Sequence, residues 1–76
     1  MNGSYIGKRV EFTRKFKVYI PDGVDSLSTV TVNPGLTGTV TDTIVVGTLV
    51  TLRIDFKIGN QEAVAWLHLD DVKILD

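Results

Sequence analysis

The sequence predicts a small all-β domain, and two observations support that class. β-branched residues make up 26 of the 76 positions (11 Val, 6 Ile and 9 Thr), whereas alanine occurs twice. β-branched side chains lose rotamer freedom in a helix and pack well on a pleated sheet. Apolar and polar residues also alternate along most of the chain, which is typical of strands buried on one face. No segment of useful length has the 3.6-residue period of a helix.

The first alternating segment covers residues 8–20. Arg14 alone falls on its apolar face, and thirteen residues are long for one straight strand. We therefore predict a bend or bulge at Arg14, with shorter strands at about 8–13 and 15–20.

Turn residues separate the segments that follow. Pro21-Asp22-Gly23 predicts a turn because proline presets φ and glycine tolerates positive φ, so that Leu27–Val32 pairs back on 15–20. Gly38 lies inside a strand segment, where glycine predicts a bulge or a close backbone approach. The other predicted elements are, in chain order, a turn at Asn33-Pro34-Gly35, a strand at Leu36–Val46, a turn at Gly47-Thr48, a strand at Val50–Phe56, a hairpin turn at Gly59-Asn60, a strand at Ala63–Leu69, a 3₁₀ turn at Asp70-Asp71 and a strand at Val72–Leu75.

Five or six short antiparallel strands at this spacing predict a small closed or nearly closed barrel with a long, hairpin-like first loop. Residues 1–76 form one domain, because a chain shorter than about 100 residues normally builds one core. The predicted core residues are Val10, Phe12, Val18, Val40, Val50, Leu52, Ile54, Phe56 and Leu67.

The composition excludes several classes of protein. With 43% hydrophobic and 22% charged residues, the chain is too apolar and too weakly charged for a disordered segment. It has no cysteine, so neither disulfides nor a zinc knuckle can stabilise the core. No run approaches the roughly 18 apolar residues of a membrane helix, and no signal-peptide core follows Met1. We expect a soluble, cytoplasmic protein without membrane contact, since a small secreted domain more often carries disulfides.

The net charge of −1 conceals an uneven distribution. Residues 1–17 carry five basic residues against Glu11, whereas residues 18–76 carry three basic residues against eight acids. A basic strand could attract a protein partner with an acidic surface, or it could simply keep an exposed strand soluble. The acidic balance of the whole chain argues against non-specific nucleic-acid binding, which needs many phosphate contacts.

Glycine and apolar positions give the chain a resemblance to a known superfamily. They are Gly7-Lys8-Arg9-Val10, the G-x-x-G-x-V step at Gly35–Val40, the strand Val50–Phe56 and the closing L-x-x-V-x-I-L at Leu69–Leu75. Over residues 7–75 this layout resembles the SH3-like small β-barrels, which include ribosomal KOW-type domains and the photosystem and NDH-type accessory subunits that dock redox partners. The resemblance implies a binding module, and it transfers no binding residue to this chain.

Groups suited to catalysis are few. His68 is the only histidine, and no nucleophile, zinc-protease or phosphate-loop motif occurs. Asp70 and Asp71 are adjacent, so they fit capping of a 3₁₀ turn better than a metal site shared with His68. We expect no enzyme, no catalytic residue, no cofactor and no metal.

The segment Ala63–Leu69 is apolar on both faces. One face fills the core, and the outer face, with Trp66 and His68, lies under the first loop or contacts another chain, including a second copy of this protein in a homo-oligomer. The alternatives are that Trp66 closes one end of the barrel and that His68 is satisfied by a backbone group.

These observations favour a small, non-enzymatic accessory module that acts through protein–protein contacts. The candidate binding residues are Arg9, Lys15, Lys17, Tyr19, Trp66 and His68. The alternative is a nucleic-acid-binding barrel that uses the basic strand at residues 8–17, where Tyr19 is the one ring beside the charges. A third reading is a tiny oligomeric enzyme resembling the plasmid-type dihydrofolate reductases, although the chain has no match to that family's pore-lining segment.

Overall fold

The alternating segments of the sequence form seven strands, and a 3₁₀ turn precedes the last of them. The structure is a computed structural model, and it describes residues 5–75. The strands are β1 (Arg9–Phe12), β2 (Phe16–Pro21), β3 (Leu27–Val32), β4 (Thr37–Val46), β5 (Leu49–Ile58), β6 (Gln61–His68) and β7 (Val72–Ile74), with the 3₁₀ turn at Leu69–Asp71.

Five strands form one antiparallel sheet in the order β6-β5-β4-β1-β7, and β2 and β3 form a separate hairpin. The all-β class is confirmed. Seven strands replace the five or six predicted, and the sheet is not closed into a barrel, because its edge strands β6 and β7 pair with no further strand within residues 5–75. The hairpin fills the position of the predicted long first loop, and β2 runs beside β6 without a hydrogen-bonded ladder.

The bend predicted at Arg14 separates the two sheets. Strand β1 ends at Phe12, whose N–H donates to the carbonyl of Leu36 at 2.9 Å and whose carbonyl accepts the N–H of Gly35 at 2.9 Å. After the bend, β2 pairs with β3 instead, with Phe16 opposite Val32 and Pro21 opposite Leu27. The predicted return of residues 27–32 onto 15–20 is therefore confirmed.

The core lies between the sheet and the hairpin. Its buried apolar residues are Val10, Phe12, Val18, Ile20, Val32, Val40, Leu52, Ile54, Phe56, Ala65 and Val72. The ring of Phe12 contacts Phe16 and Phe56 edge-to-face, each with centroids 5.0 Å apart. Of the predicted core, Val50 and Leu67 are only partly buried, because Val50 is next to the end of the β4–β5 hairpin and Leu67 lies on an edge strand.

Gly38 marks a close backbone approach, as predicted, and the bulge lies three residues later. A Cβ atom on Gly38 would meet Ile54 Cγ2 at 2.6 Å and the Asp55 carbonyl oxygen at 2.8 Å. The register of β4 against β5 shifts between Val40 and Asp42, so that Thr41 is the extra residue. One extra residue reverses the faces of every side chain beyond it.

Candidate binding groove between β2 and β6

Three of the predicted binding residues lie around one cavity. Lys17 and Tyr19 project outward from β2, and Trp66 projects outward from β6. Tyr19 is 73% exposed and Trp66 is 47% exposed, so neither aromatic side chain belongs to the core. The alternative in which Trp66 closes the end of a barrel is therefore wrong for this fold.

The cavity has a volume of about 440 Å³ and lies between the adjacent edges of the two strands. It is lined by residues 16–19 of β2 and 64–67 of β6. Because side chains alternate along a strand, Phe16, Val18, Ala65 and Leu67 face the core and form the floor. The outward residues Lys17, Tyr19, Val64 and Trp66 form the rim. The cavity therefore has an apolar base and an aromatic rim that carries one cation.

A second cavity, of about 670 Å³, continues from the first. Tyr19 and Val64 line both cavities. Beyond them the second cavity is bordered by Pro21 of β2 and by Glu62 and Ala63 of β6. The rest of its lining comes from β4 and β5, namely Thr39, Thr41, Asp55, Phe56 and Lys57. We call the two cavities, which share Tyr19 and Val64, the β2–β6 groove.

Charges of both signs lie along the groove, and Asp55 is the cross-strand neighbour of Val64 at its middle. Lys17 lines the first cavity, and Arg53 is the cross-strand neighbour of Trp66. Asp55 and Glu62 line the second cavity together with Lys57, which is the cross-strand neighbour of Glu62.

Asp55 is held in place by two neighbours. Its Oδ1 accepts a hydrogen bond from Thr41 Oγ1 at 3.2 Å and lies 3.6 Å from Nε of Arg53. The bulge residue Thr41 therefore positions a carboxylate at the second cavity.

The other predicted binding residues lie outside the groove lining. Arg9 is on β1, and its carbonyl accepts the N–H of Leu75 at 2.9 Å. Lys15 is exposed in the connection between β1 and β2.

His68 ends β6, with Nδ1 3.4 Å from Thr51 Oγ1. Its backbone N–H donates to Asp71 Oδ2 at 3.3 Å, so Asp71 closes the start of the 3₁₀ turn.

Sequence reasoning named Lys17, Tyr19 and Trp66 but did not place them together. It also missed Val64 as a rim residue and Asp55 and Glu62 as lining residues of the second cavity. The outward parity of Val64 was visible in the sequence, whereas the proximity of β2 to β6 depends on a non-local approach with no local signal.

Neither a metal centre nor a membrane-spanning helix is present in the described part of the chain. No three His, Asp or Glu side chains of residues 5–75 are grouped so that they could hold a metal ion. Over the same range, no helix has the length and apolarity needed to cross a membrane. No protein-family model, curated protein or solved structure matches the chain.

Proposed function

We propose that this protein is a non-enzymatic accessory module that binds an extended segment of a protein partner in the β2–β6 groove. The observation that carries the proposal is the exposure of Tyr19 and Trp66 on opposite sides of a cavity with an apolar floor. Tyrosine and tryptophan contribute much of the binding energy at protein interfaces, because each combines a large apolar surface with a polar group. Grooves with an apolar base and a few polar groups at the rim are typical ligand sites.

The SH3-like relationship and a cytoplasmic location are parts of the same proposal. The β2–β3 hairpin between β1 and β4 supports the SH3-like relationship, because that superfamily resemblance implies a long hairpin-like first loop. The absence of cysteine supports a reducing compartment.

A second candidate function is the binding of single-stranded nucleic acid. Trp66 beside Tyr19 and Lys17 supplies two exposed rings and a cation, and successive bases stack on such rings. Asp55 lies beside Arg53 and Glu62 lies beside Lys57, so the groove offers a phosphate backbone little net positive charge, and we rank this candidate second.

Trp66 is the only tryptophan, so its fluorescence reports directly on the groove. A phage-display library of octapeptides that lack tryptophan is selected for binding to the wild-type protein. The selected peptide is then titrated into the protein while Trp66 emission is recorded. We expect saturable binding that falls at least tenfold in Tyr19→Ala, because loss of a central aromatic anchor costs about 2 kcal/mol or more. Val24→Ala, at a position 98% exposed outside the groove, is the matched control and should bind normally.

A thymidine octanucleotide tests the second candidate. Phosphate binding weakens steeply with the logarithm of the salt concentration, whereas an apolar contact does not. Tight, salt-sensitive binding of the oligonucleotide, with no selected peptide that depends on Tyr19, would reverse the ranking.

A further inference from the structure

We propose that the free edge of β3 is a second docking site, which binds an extended, uncharged protein segment as an additional β-strand. An apolar side chain of that segment enters the cavity at the end of β3. The site lies on the side of β3 away from β2, whereas the β2–β6 groove lies on the other side of β2. The inference therefore goes beyond the proposed function and does not depend on it.

The register of the β2–β3 hairpin identifies the main-chain groups on this edge. The N–H of Asp22 donates to the carbonyl of Ser26 at 2.9 Å, and hydrogen-bonded pairs alternate with non-hydrogen-bonded pairs along antiparallel strands. The next pair, Pro21 with Leu27, is therefore non-hydrogen-bonded, which suits proline because it has no N–H. By the same alternation, the residues of β3 whose N–H and C=O groups point away from β2 are Leu27, Thr29 and Thr31.

These outward main-chain groups are unpaired in the described chain. β3 pairs with β2 alone, and the outward N–H and C=O groups have no hydrogen-bond partner among residues 5–75. All three residues that carry them are exposed. A strand edge with a free row of donors and acceptors is a template for another strand. The edge of β3 is therefore both unsatisfied by the protein and accessible to a partner.

The other edges of the two sheets are protected. β7 has three residues and carries Lys73, and the facing edges of β6 and β2 lie side by side. On β4 beyond the bulge, the N–H of Thr43 donates to Asp42 Oδ1 at 2.8 Å. By contrast, β3 has six residues and carries no charge, proline or bulge. Natural proteins use short edges, charges, proline and bulges to block pairing with other chains, so β3 is the unprotected edge.

A cavity of about 430 Å³ adjoins the end of this edge. It is lined by residues 31–36 and by Ile58 and Gly59 at the β5–β6 turn. No residue of β2 lines it, although β2 pairs with β3 at Val32, so the cavity lies on the free side of β3. Its apolar lining residues are Val32, Pro34, Leu36 and Ile58. An apolar side chain of a strand added to β3 therefore has a place to be buried.

A polypeptide strand is the occupant whose charges complement this edge. N–H and C=O groups carry partial charges of opposite sign, and they alternate along β3 at the spacing of another strand. A phosphate backbone presents acceptors, and β3 carries no cation that would attract it. A membrane interior offers the main-chain groups no hydrogen-bond partner. The matching ligand is an uncharged extended segment with an apolar residue opposite Val32.

The test uses the blocked hexapeptide acetyl-Val-Thr-Val-Thr-Ser-Gln-amide. In antiparallel pairing with β3, its first valine lies opposite Val32, and the amides of its second and fourth residues face Thr31 and Thr29. Amide chemical shifts and hydrogen exchange of the protein are recorded during a titration. We expect saturable shifts and slower exchange at Thr29 and Thr31. The amides of Ser28 and Val30 are already paired with β2, so their exchange should change little.

Two doubly N-methylated peptides form a matched pair. Methyl groups on the second and fourth amides remove the donors that face β3 and should weaken binding about tenfold or more. Methyl groups on the third and fifth amides point away from β3 and should leave the affinity within about twofold. Equal effects of the two patterns would overturn strand addition. Replacing the first valine by serine should weaken binding about threefold or more, and no effect would overturn the cavity contact.

A substitution in β3 tests the same hydrogen bonds from the side of the protein. Thr29→Pro removes one donor from the free edge and should weaken peptide binding about fivefold or more. The hairpin accepts proline at such a position, since Pro21 is an outward-pointing residue of β2. Thr29→Val keeps the N–H and is the matched control, which should bind like wild type. Circular dichroism verifies folding, and the methylated peptides decide the question if Thr29→Pro does not fold.

The remaining outcomes would each overturn the inference. Protection of the Thr29 and Thr31 amides that rises with protein concentration, without peptide, would assign the edge to a second copy of the chain. Shifts confined to Val64 and Trp66 would place the peptide in the β2–β6 groove, which overturns the site on β3 and supports the proposed function. No binding at millimolar peptide would show that the edge of β3 rejects an added strand, and it leaves the groove untouched.

Discussion

The guanidinium of Arg14 donates a hydrogen bond from Nη1 to Oδ1 of Asp71 at 2.8 Å, joining residues 57 positions apart. The Asp71 side chain is only 13% exposed, and its other oxygen accepts the backbone N–H of His68. The Asp71 carbonyl also accepts the N–H and the hydroxyl of Thr13, at 3.1 and 2.9 Å. The residue that interrupts the alternation of the first segment therefore attaches the β1–β2 connection to the turn before β7.

The two partners should contribute unequally to stability. Arg14→Ala should lower the free energy of unfolding by about 0.5 kcal/mol, because its side chain is 68% exposed and surface ion pairs contribute little. Asp71→Ala should cost about 1–3 kcal/mol, since it also removes the acceptor of the His68 N–H. Urea unfolding of both variants and of the double variant gives the coupling free energy between the two side chains. A similar cost for Asp70→Ala, at the exposed neighbouring position, would contradict this explanation.

The centre of the core should tolerate truncation poorly. Leu52 and Ile54 are fully buried in the middle strand of the β4–β5–β6 region. Replacing either by alanine should cost about 2–5 kcal/mol, because the removed atoms leave a cavity that a paired strand cannot fill. That approaches the whole stability of so small a domain. Thermal unfolding is the measurement, and Val24→Ala, at a 98% exposed position, is the control. A melting temperature within a degree or two of wild type would refute the assignment of Leu52 and Ile54 to the buried face of β5.

The bulge at Thr41 turns the side chain of Thr43 inward, where its hydroxyl has no hydrogen-bond partner. Beyond the bulge, Thr43 lies opposite the buried Leu52, and its Oγ1 is buried without a hydrogen bond. Thr43→Val should therefore stabilise the protein by about 1 kcal/mol, because it removes an unsatisfied polar atom at nearly constant shape. Thr41→Val is the matched control, since Thr41 Oγ1 donates to Asp55, and it should not stabilise. Chemical denaturation compares the two, and a loss of stability in Thr43→Val would show that the hydroxyl is satisfied in solution.

Alternation predicted the strands well where the register was regular. It placed Val10, Phe12 and Val18 in the core, and it correctly separated Ala65 from Trp66 on β6. Alternation does not predict the faces of β4 beyond residue 40, because a bulge changes the face of a strand without changing the polarity of its residues. Ile44 and Val46 have the parity of Val40, and Thr41 turns them outward.

The sequence predicted individual residues of the groove but not that they lie together. The polarity of the segments around Lys17, Tyr19 and Trp66 marked these residues as outward-facing, and their types suggested binding. Their convergence requires the hairpin to fold against the edge of β6, which joins residues about fifty positions apart. A comparable separation, of 57 positions, joins Arg14 to Asp71. Single-sequence patterns carry no information about such pairs.

Self-association should occur through the outer face of β4, β5 and β6. The bulge turns Ile44 and Val46 of β4 toward this face, where Leu49 of β5 lies opposite Val46. Each of the three is about half exposed or more, and Trp66 lies on the same face. Clusters of exposed apolar side chains of this kind mark interaction surfaces. Sedimentation velocity over rising protein concentration should therefore show reversible association, most clearly at high salt, which does not weaken apolar contacts.

The variant Val46→Thr combined with Leu49→Thr should abolish this association, because threonine preserves strand propensity while reducing the apolar surface. Val24→Thr removes a valine that is 98% exposed and lies outside the face, and this variant should associate like wild type. Trp66 emission shows how far the contact between copies extends. A concentration-dependent change in emission would mean that the contact includes the outer face of residues 63–69 as well as the β4–β5 hairpin. A monomer at every concentration would show that this face is free in solution. The apolar hairpin end would then be a surface for a different protein, separate from the β2–β6 groove.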